Sequence, residues 1–135
     1  MTVGTIIAKN YLAYARVLGR SLTEQHPDLR LQVLIIDDIE GYVDPAREPF
    51  DVVTIDQVGI DGFERMAVMY SVLELSTAVK PWFLRWMLAE SGDGAVYLDP
   101  DMRLYAPLDE MFQAVRDHGL VLNPHFTDQI GRAHV

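Results

Sequence analysis

The stretch TVGTIIAKNYLAYARVLGRSLTEQHP, Thr2 to Pro27, decides how the rest of the chain is read. It opens with Thr2 to Ala8, an apolar, β-branched run that stops at Lys9-Asn10, the pattern of a buried strand entering a loop. The period then changes. Tyr11, Tyr14, Leu18 and Leu22 recur at three and four residues while Arg16, Arg20 and Glu24 fall off that stripe, which predicts an amphipathic helix stopped by His26-Pro27.

The same grammar repeats downstream. Leu31 to Ile36 is a second continuous apolar strand ending in Asp37-Asp38, Glu40 to Pro49 is loop-like, and Asp51 to Ile55 is a short third strand. Gly59 and Gly62 open a segment in which Met66 to Leu75 predicts one helix. Pro81 suits the start of another, with Trp82, Trp86 and Met87 on its apolar face, ended by Ser91-Gly92-Asp93-Gly94. Ala95 to Leu98 is a strand leading into Asp99-Pro100-Asp101, Pro107 to Val115 a helix, and Leu120 to Leu122 a further strand before Asn123-Pro124-His125. Strands alternating with helices predict an α/β sandwich with a mostly parallel sheet, because parallel strands need long crossovers. Ligands of such sheets collect at the C-terminal ends of the strands. That rule gathers Lys9-Asn10, Asp37-Asp38 and Asp99-Pro100-Asp101 along one edge.

Composition narrows the partners. The chain has 135 residues, half of them hydrophobic, which suits one domain with a real core. Eleven basic against twenty acidic side chains leave a net charge of -9, against nucleic acid or an anionic membrane as main partner. With no cysteine, disulfides and thiolate metal sites are excluded. The N-terminus lacks a basic leader and a long uninterrupted apolar run, so neither a signal peptide nor a transmembrane helix is expected, and a cytoplasmic location is. Ile130 to Val135 matches one reading frame of a common short-read sequencing adapter whose next codon is a stop. Residues 129–135 are therefore expected to be a non-native tail on an authentic stretch 1–128, and His134 is no ligand candidate.

Each candidate residue carries a plain and a chemical reading. Asp99-Pro100-Asp101 is either a proline turn or, if extended, a pair of hard oxygen donors two residues apart that converge on Mg²⁺ or Mn²⁺ and a diphosphate. Lys80, just before Pro81, is either a surface lysine or a cation at the positive end of a helix. Asn10 is a turn residue or an amide for a base edge, Tyr11 a core residue or a stacking platform, and Asp37 and Asp38 are turn groups or ribose ligands. His125 is structural or faces the same edge. Dinucleotide, triphosphate, hydrolase and zincin motifs are all missing.

Taken together, TIIAKNYLAYARVLGRSL, VLIIDD, STAVKPWFLRWML, AVYLDPDMRLYAPLDEM and VLNPHF resemble the N-terminal half of GT-A-fold nucleotide-sugar glycosyltransferases, above all the bacterial family 8 type. The resemblance covers Thr2 to about Phe126. It implies a C-terminally truncated GT-A-like, Rossmann-like α/β/α sandwich in which Ala8, Lys9, Asn10 and Tyr11 would hold the nucleotide base, usually uracil, and Asp37 or Asp38 the nucleoside. Asp99 and Asp101 would bind Mn²⁺ or Mg²⁺ with the donor diphosphate, and Lys80 the donor sugar or phosphate. The parent would be a metal-dependent hexosyltransferase moving sugar from a nucleotide diphosphate, UDP favoured, to a glycan, lipid or protein acceptor. Ala8 and Lys9 replace a frequent acidic residue of the base loop, and the histidine that such enzymes add to the metal lies beyond this chain, later than His125. The fragment alone is expected to be inactive. A nucleotidyltransferase-like domain is the competing enzyme; it predicts a basic triphosphate loop near the N-terminus, where only Lys9 is present. A non-enzymatic α/β module, with Asp-Pro-Asp merely a turn, is the third reading.

Overall fold

A computed structural model describes residues 1–122; His125 and the tail 129–135 lie outside the described residues. Four strands, β1 (Thr2–Ile7), β2 (Gln32–Ile35), β3 (Asp51–Val53) and β4 (Ala95–Tyr97), form one all-parallel sheet in the order β3-β2-β1-β4. The helices are α1 (Leu12–Gln25), α2 (Ile55–Val58), α3 (Phe63–Met69), α4 (Val72–Ala78), α5 (Lys80–Ser91) and α6 (Asp109–His118).

Strand alternation sends side chains to two separate cores. Val3 and Ile7 of β1, Val33 and Ile35 of β2, and Val96 and Leu98 face Ala15, Leu18 and Leu22 of α1 and Phe112 of α6. Ile6, Leu34 and Val53 face Leu75 of α4 and Phe83 and Met87 of α5. The molecule is thus an α/β/α sandwich, as the alternating pattern predicts. Gly4 explains how closely α5 lies on the sheet. A Cβ at that position would sit 2.4 Å from the Met87 sulfur and 2.9 Å from the Phe83 ring. Gly19 does the same on the other side, where a Cβ would meet the Pro49 carbonyl at 2.9 Å.

Four expectations are corrected. The helix expected from Met66 to Leu75 is two helices, because Ser71 caps α4: its hydroxyl accepts from the Glu74 N–H while the Glu74 carboxylate accepts from the Ser71 N–H. Ile55 belongs to a helix rather than β3, since Thr54 and Gln57 form a second reciprocal cap. Leu120 to Leu122 is exposed and unpaired within the described residues rather than a strand. In α1 the buried stripe is Ala15, Leu18, Gly19, Ser21 and Leu22, while Tyr11 and Tyr14 stay in solvent against each other.

The loop before β3 is pinned by an ion pair. Arg16 on α1 donates from Nε and Nη2 to the two oxygens of buried Glu48, at 2.8 and 2.7 Å. That hydrogen bonding holds the Glu48 carboxyl below its usual range, against burial and with help from the charges of Arg16, Arg20 and Arg47. A carboxyl depressed in the folded state stabilises the fold above its unfolded pKa, about 4.3, and the contribution disappears as pH falls through the lower folded value. Glu48→Gln should therefore lower the urea midpoint at neutral pH and flatten its decline below about pH 5, measured by tryptophan fluorescence.

Candidate donor site at the strand ends

In a parallel sheet all strand C-termini share one edge, and the order β3-β2-β1-β4 reverses at β1. The chain leaves β1 toward β2 and β3, whereas β4 lies on its other side, so the loops after β1 and β4 flank the crevice where such folds bind ligands. These loops are Ala8–Tyr11 and Asp99–Asp101. Asp37 follows β2, two strand spacings from β4, or about 10 Å.

After β1, Ala8 is buried and Lys9–Tyr11 is one 3-10 turn, closed by the Tyr11 N–H on the Ala8 carbonyl. Asn10 and Tyr11 are exposed there. Asp37 accepts from the Lys9 N–H with both oxygens, at 2.9 and 3.2 Å, and so ties the β2 end to this turn. Asp38 caps a local turn by accepting from the Glu40 N–H. The Lys9 ammonium lies 4.3 Å from the centre of the Tyr42 ring.

After β4 the strand does not run on through both aspartates. The Met102 N–H bonds the Asp99 carbonyl at 3.2 Å, so Asp99-Pro100-Asp101 is a β-turn with Asp at its first and Pro at its second position. The extended pairing expected of the two carboxylates is replaced by a turn, because Pro fixes the φ that the second turn position needs. Asp99 is half exposed and Asp101 exposed.

Lys80, nineteen positions upstream, joins this turn. Its Nζ stands 3.6 Å from Asp99 Oδ1 and 4.3 Å from the centre of the Tyr97 ring. Tyr97 is the residue that the sequence reading missed. Ala95 and Tyr97 point toward α5, whose first residue is Lys80, and the two-residue period along β4 was the available signal. Burial pushes the Tyr97 phenol up to about 12, and the charge of Asp99 and then that of Asp101 add to the rise. Both carboxylates therefore act on one partly buried group. The start of α5 offers an anion less than expected: Pro81 has no N–H, and Val79 is already helical, so the amine of Lys80 is the main cationic feature.

Two carboxylates on one turn suit a hard divalent cation that keeps open positions for waters and phosphate oxygens. Among the described residues no three His, Cys, Asp or Glu side chains converge on one point, so Asp99 and Asp101 would fill part of a coordination sphere. A hollow of about 320 Å³ opens farther along the same edge, at the ends of β2 and β3 and across β1 from the Asp99–Asp101 turn, lined by Asp37, Asp38, Thr54, Asp56 and Phe63 among others. No helix among the described residues is long and apolar enough to cross a membrane.

No protein-family model matches the chain, and no curated protein matches it in sequence. Solved structures do: galactosyltransferase LgtC in complex with donor and acceptor sugar analogs, and an active-site mutant of LgtC, each superpose with a TM-score of 0.54 at 18% identity. Each match covers 82% of this chain and 41% of LgtC, so the chain spans about two fifths of the structures it matches. The described residues have the GT-A-like α/β fold of these glycosyltransferases.

Proposed function

We propose that this chain is the donor-binding part of a metal-dependent glycosyltransferase that takes a hexose from a nucleoside diphosphate, UDP favoured, to a glycan, lipid or protein acceptor. The observation that carries the reading is Lys80 beside Asp99 at the point where the strand order reverses, in a fold shared with a galactosyltransferase. Asp99 and Asp101 are assigned to Mn²⁺ or Mg²⁺, which supplies Lewis-acid neutralisation of the diphosphate as it leaves. Lys80 is assigned to the phosphates or donor sugar, Ala8 to Tyr11 to the base, and Asp37 and Asp38 to the nucleoside. The acidic hollow past β2 repels phosphate but offers hydrogen-bond acceptors, which suits the nucleoside end.

This chain alone is inferred to bind donor without transferring it, since a half-built shell does not hold reactants in attack geometry. A cytoplasmic location and a non-native tail at 129–135 belong to the same proposal. Against the nucleotidyltransferase reading, the single N-terminal cation, Lys9, is engaged with Tyr42. The test is calorimetric titration of the chain with UDP, UDP-glucose and UDP-galactose, with and without Mn²⁺. Binding that needs the metal supports the donor site; no binding, or binding indifferent to the metal, removes it.

Lys80 gives a test with opposite signs. Without ligand its amine competes with a metal for Asp99, and a half-exposed pair of this kind is worth under about 1 kcal/mol. Lys80→Ala should tighten binding of bare Mn²⁺ about two- to fivefold while weakening UDP in the presence of Mn²⁺. Equal shifts of one sign for both ligands would contradict the assignment.

A further inference from the structure

The Asp99–Met102 turn is held from two directions. Upstream, the Leu98 N–H bonds the Gly4 carbonyl at 3.0 Å, so Asp99 leaves directly from the sheet, and Lys80 stands against its carboxylate. Downstream, the chain passes along α1, and two of its backbone N–H groups end on side chains at that helix. The Leu104 N–H donates to Ser21 Oγ at 3.1 Å, and the Leu108 N–H donates to His26 Nε2 at 2.7 Å. These contacts span 83 and 82 residues of sequence. Ser21 is buried, and its own hydroxyl proton goes to the Leu18 carbonyl at 2.9 Å. The His26 ring packs 5.3 Å from that of Phe112 on α6, and a ring accepting at Nε2 carries its proton on Nδ1.

Asp101 is exposed, and only Met102 and Arg103 separate it from Leu104. Asp99 has the sheet to fix it; Asp101 depends on the segment from Met102 to Leu108.

We propose that Ser21 and His26 are positioning residues for Asp101, holding that downstream segment on α1 and thereby setting the two carboxylates of the turn relative to each other. The metal-site part of this proposal rests on the donor-site reading. The two side chains touch no part of the donor; they act through Leu104 and Leu108. Loss of either acceptor frees the downstream arm of the turn while the Lys80–Asp99 pair and the sheet stay in place.

The test compares the full chain with His26→Phe, which keeps an aromatic ring against Phe112 but has no acceptor, His26→Gln, which keeps an acceptor, and Ser21→Ala. Amide hydrogen exchange of Leu104 and Leu108 reads the latch, and Mn²⁺ alone, followed by paramagnetic line broadening, reads the turn. His26→Phe is expected to lose protection at Leu108 and to weaken Mn²⁺ about tenfold, the usual effect of removing an outer-shell partner. His26→Gln should restore most of both, and Ser21→Ala should lose protection at Leu104 and weaken Mn²⁺ independently. Mn²⁺ bound as tightly by His26→Phe as by the unmodified chain, or Leu108 equally protected in both, would overturn the proposal and leave the donor site standing. Failure of the unmodified chain to bind Mn²⁺ removes the donor-site reading and, with it, the role assigned to the latch, whatever Leu108 shows.

Discussion

Asp101→Asn should cut Mn²⁺-dependent binding of UDP by at least about 100-fold, because removing even an outer-shell partner of a metal typically costs 10- to 100-fold and Asp101 is assigned to direct ligation. The substitution keeps shape and polarity and removes one negative charge, so a loss reports on the cation rather than on packing. Asp101 is exposed, so the unfolding free energy should stay within about 0.5 kcal/mol of that of the unmodified chain. Asp99→Asn should be equally damaging to binding while also releasing Lys80 from its partner at 3.6 Å. Isothermal titration of both variants with UDP, with and without Mn²⁺, checks this. A midpoint shift without a loss of affinity would assign the turn to structure alone.

Phe83→Ala should be the most destabilising single truncation on the α5 side, at about 3–5 kcal/mol. Phe83 is fully buried between α5 and β1, stacked 5.9 Å from Trp86 and packed over the hydrogen face of Gly4. Alanine leaves a hole that Met87 fills only in part, since its sulfur already lies over Gly4. Because α5 carries Lys80 at its first residue, UDP affinity should fall along with stability in this variant, whereas Asp101→Asn separates the two. Urea unfolding followed by fluorescence gives the first number and titration the second.

Much of this was legible in the sequence, for reasons that differ residue by residue. Apolar runs ending in Lys9, Asp37 and Asp99 announced a parallel sheet with one polar edge, because strands buried on both faces leave no room for polar groups until they emerge. Lys80 was legible only as a cation at a helix start; its meeting with Asp99 came from the fold, which brings the start of α5 to the end of β4. Finer features needed three dimensions. Ser71-x-x-Glu74 was readable as a capping box but sat inside a helical period strong enough to hide it. The turn at Asp99 depended on Pro100, whose φ suits a strand end and a turn alike. Ser21 and His26 looked like members of α1 and its stop signal and nothing more, since the backbone groups they hold come from more than eighty residues away.

Gly4 shapes how a comprehensive substitution scan of this protein will look. It has no part in the donor site, yet every side chain placed there collides with Phe83 or Met87. Its row in such a scan should be as dark as that of Asp101. Intolerance alone will not separate a binding residue from a spacing residue in this sheet; the separation comes from asking which dark rows brighten when the readout is changed from binding to folding.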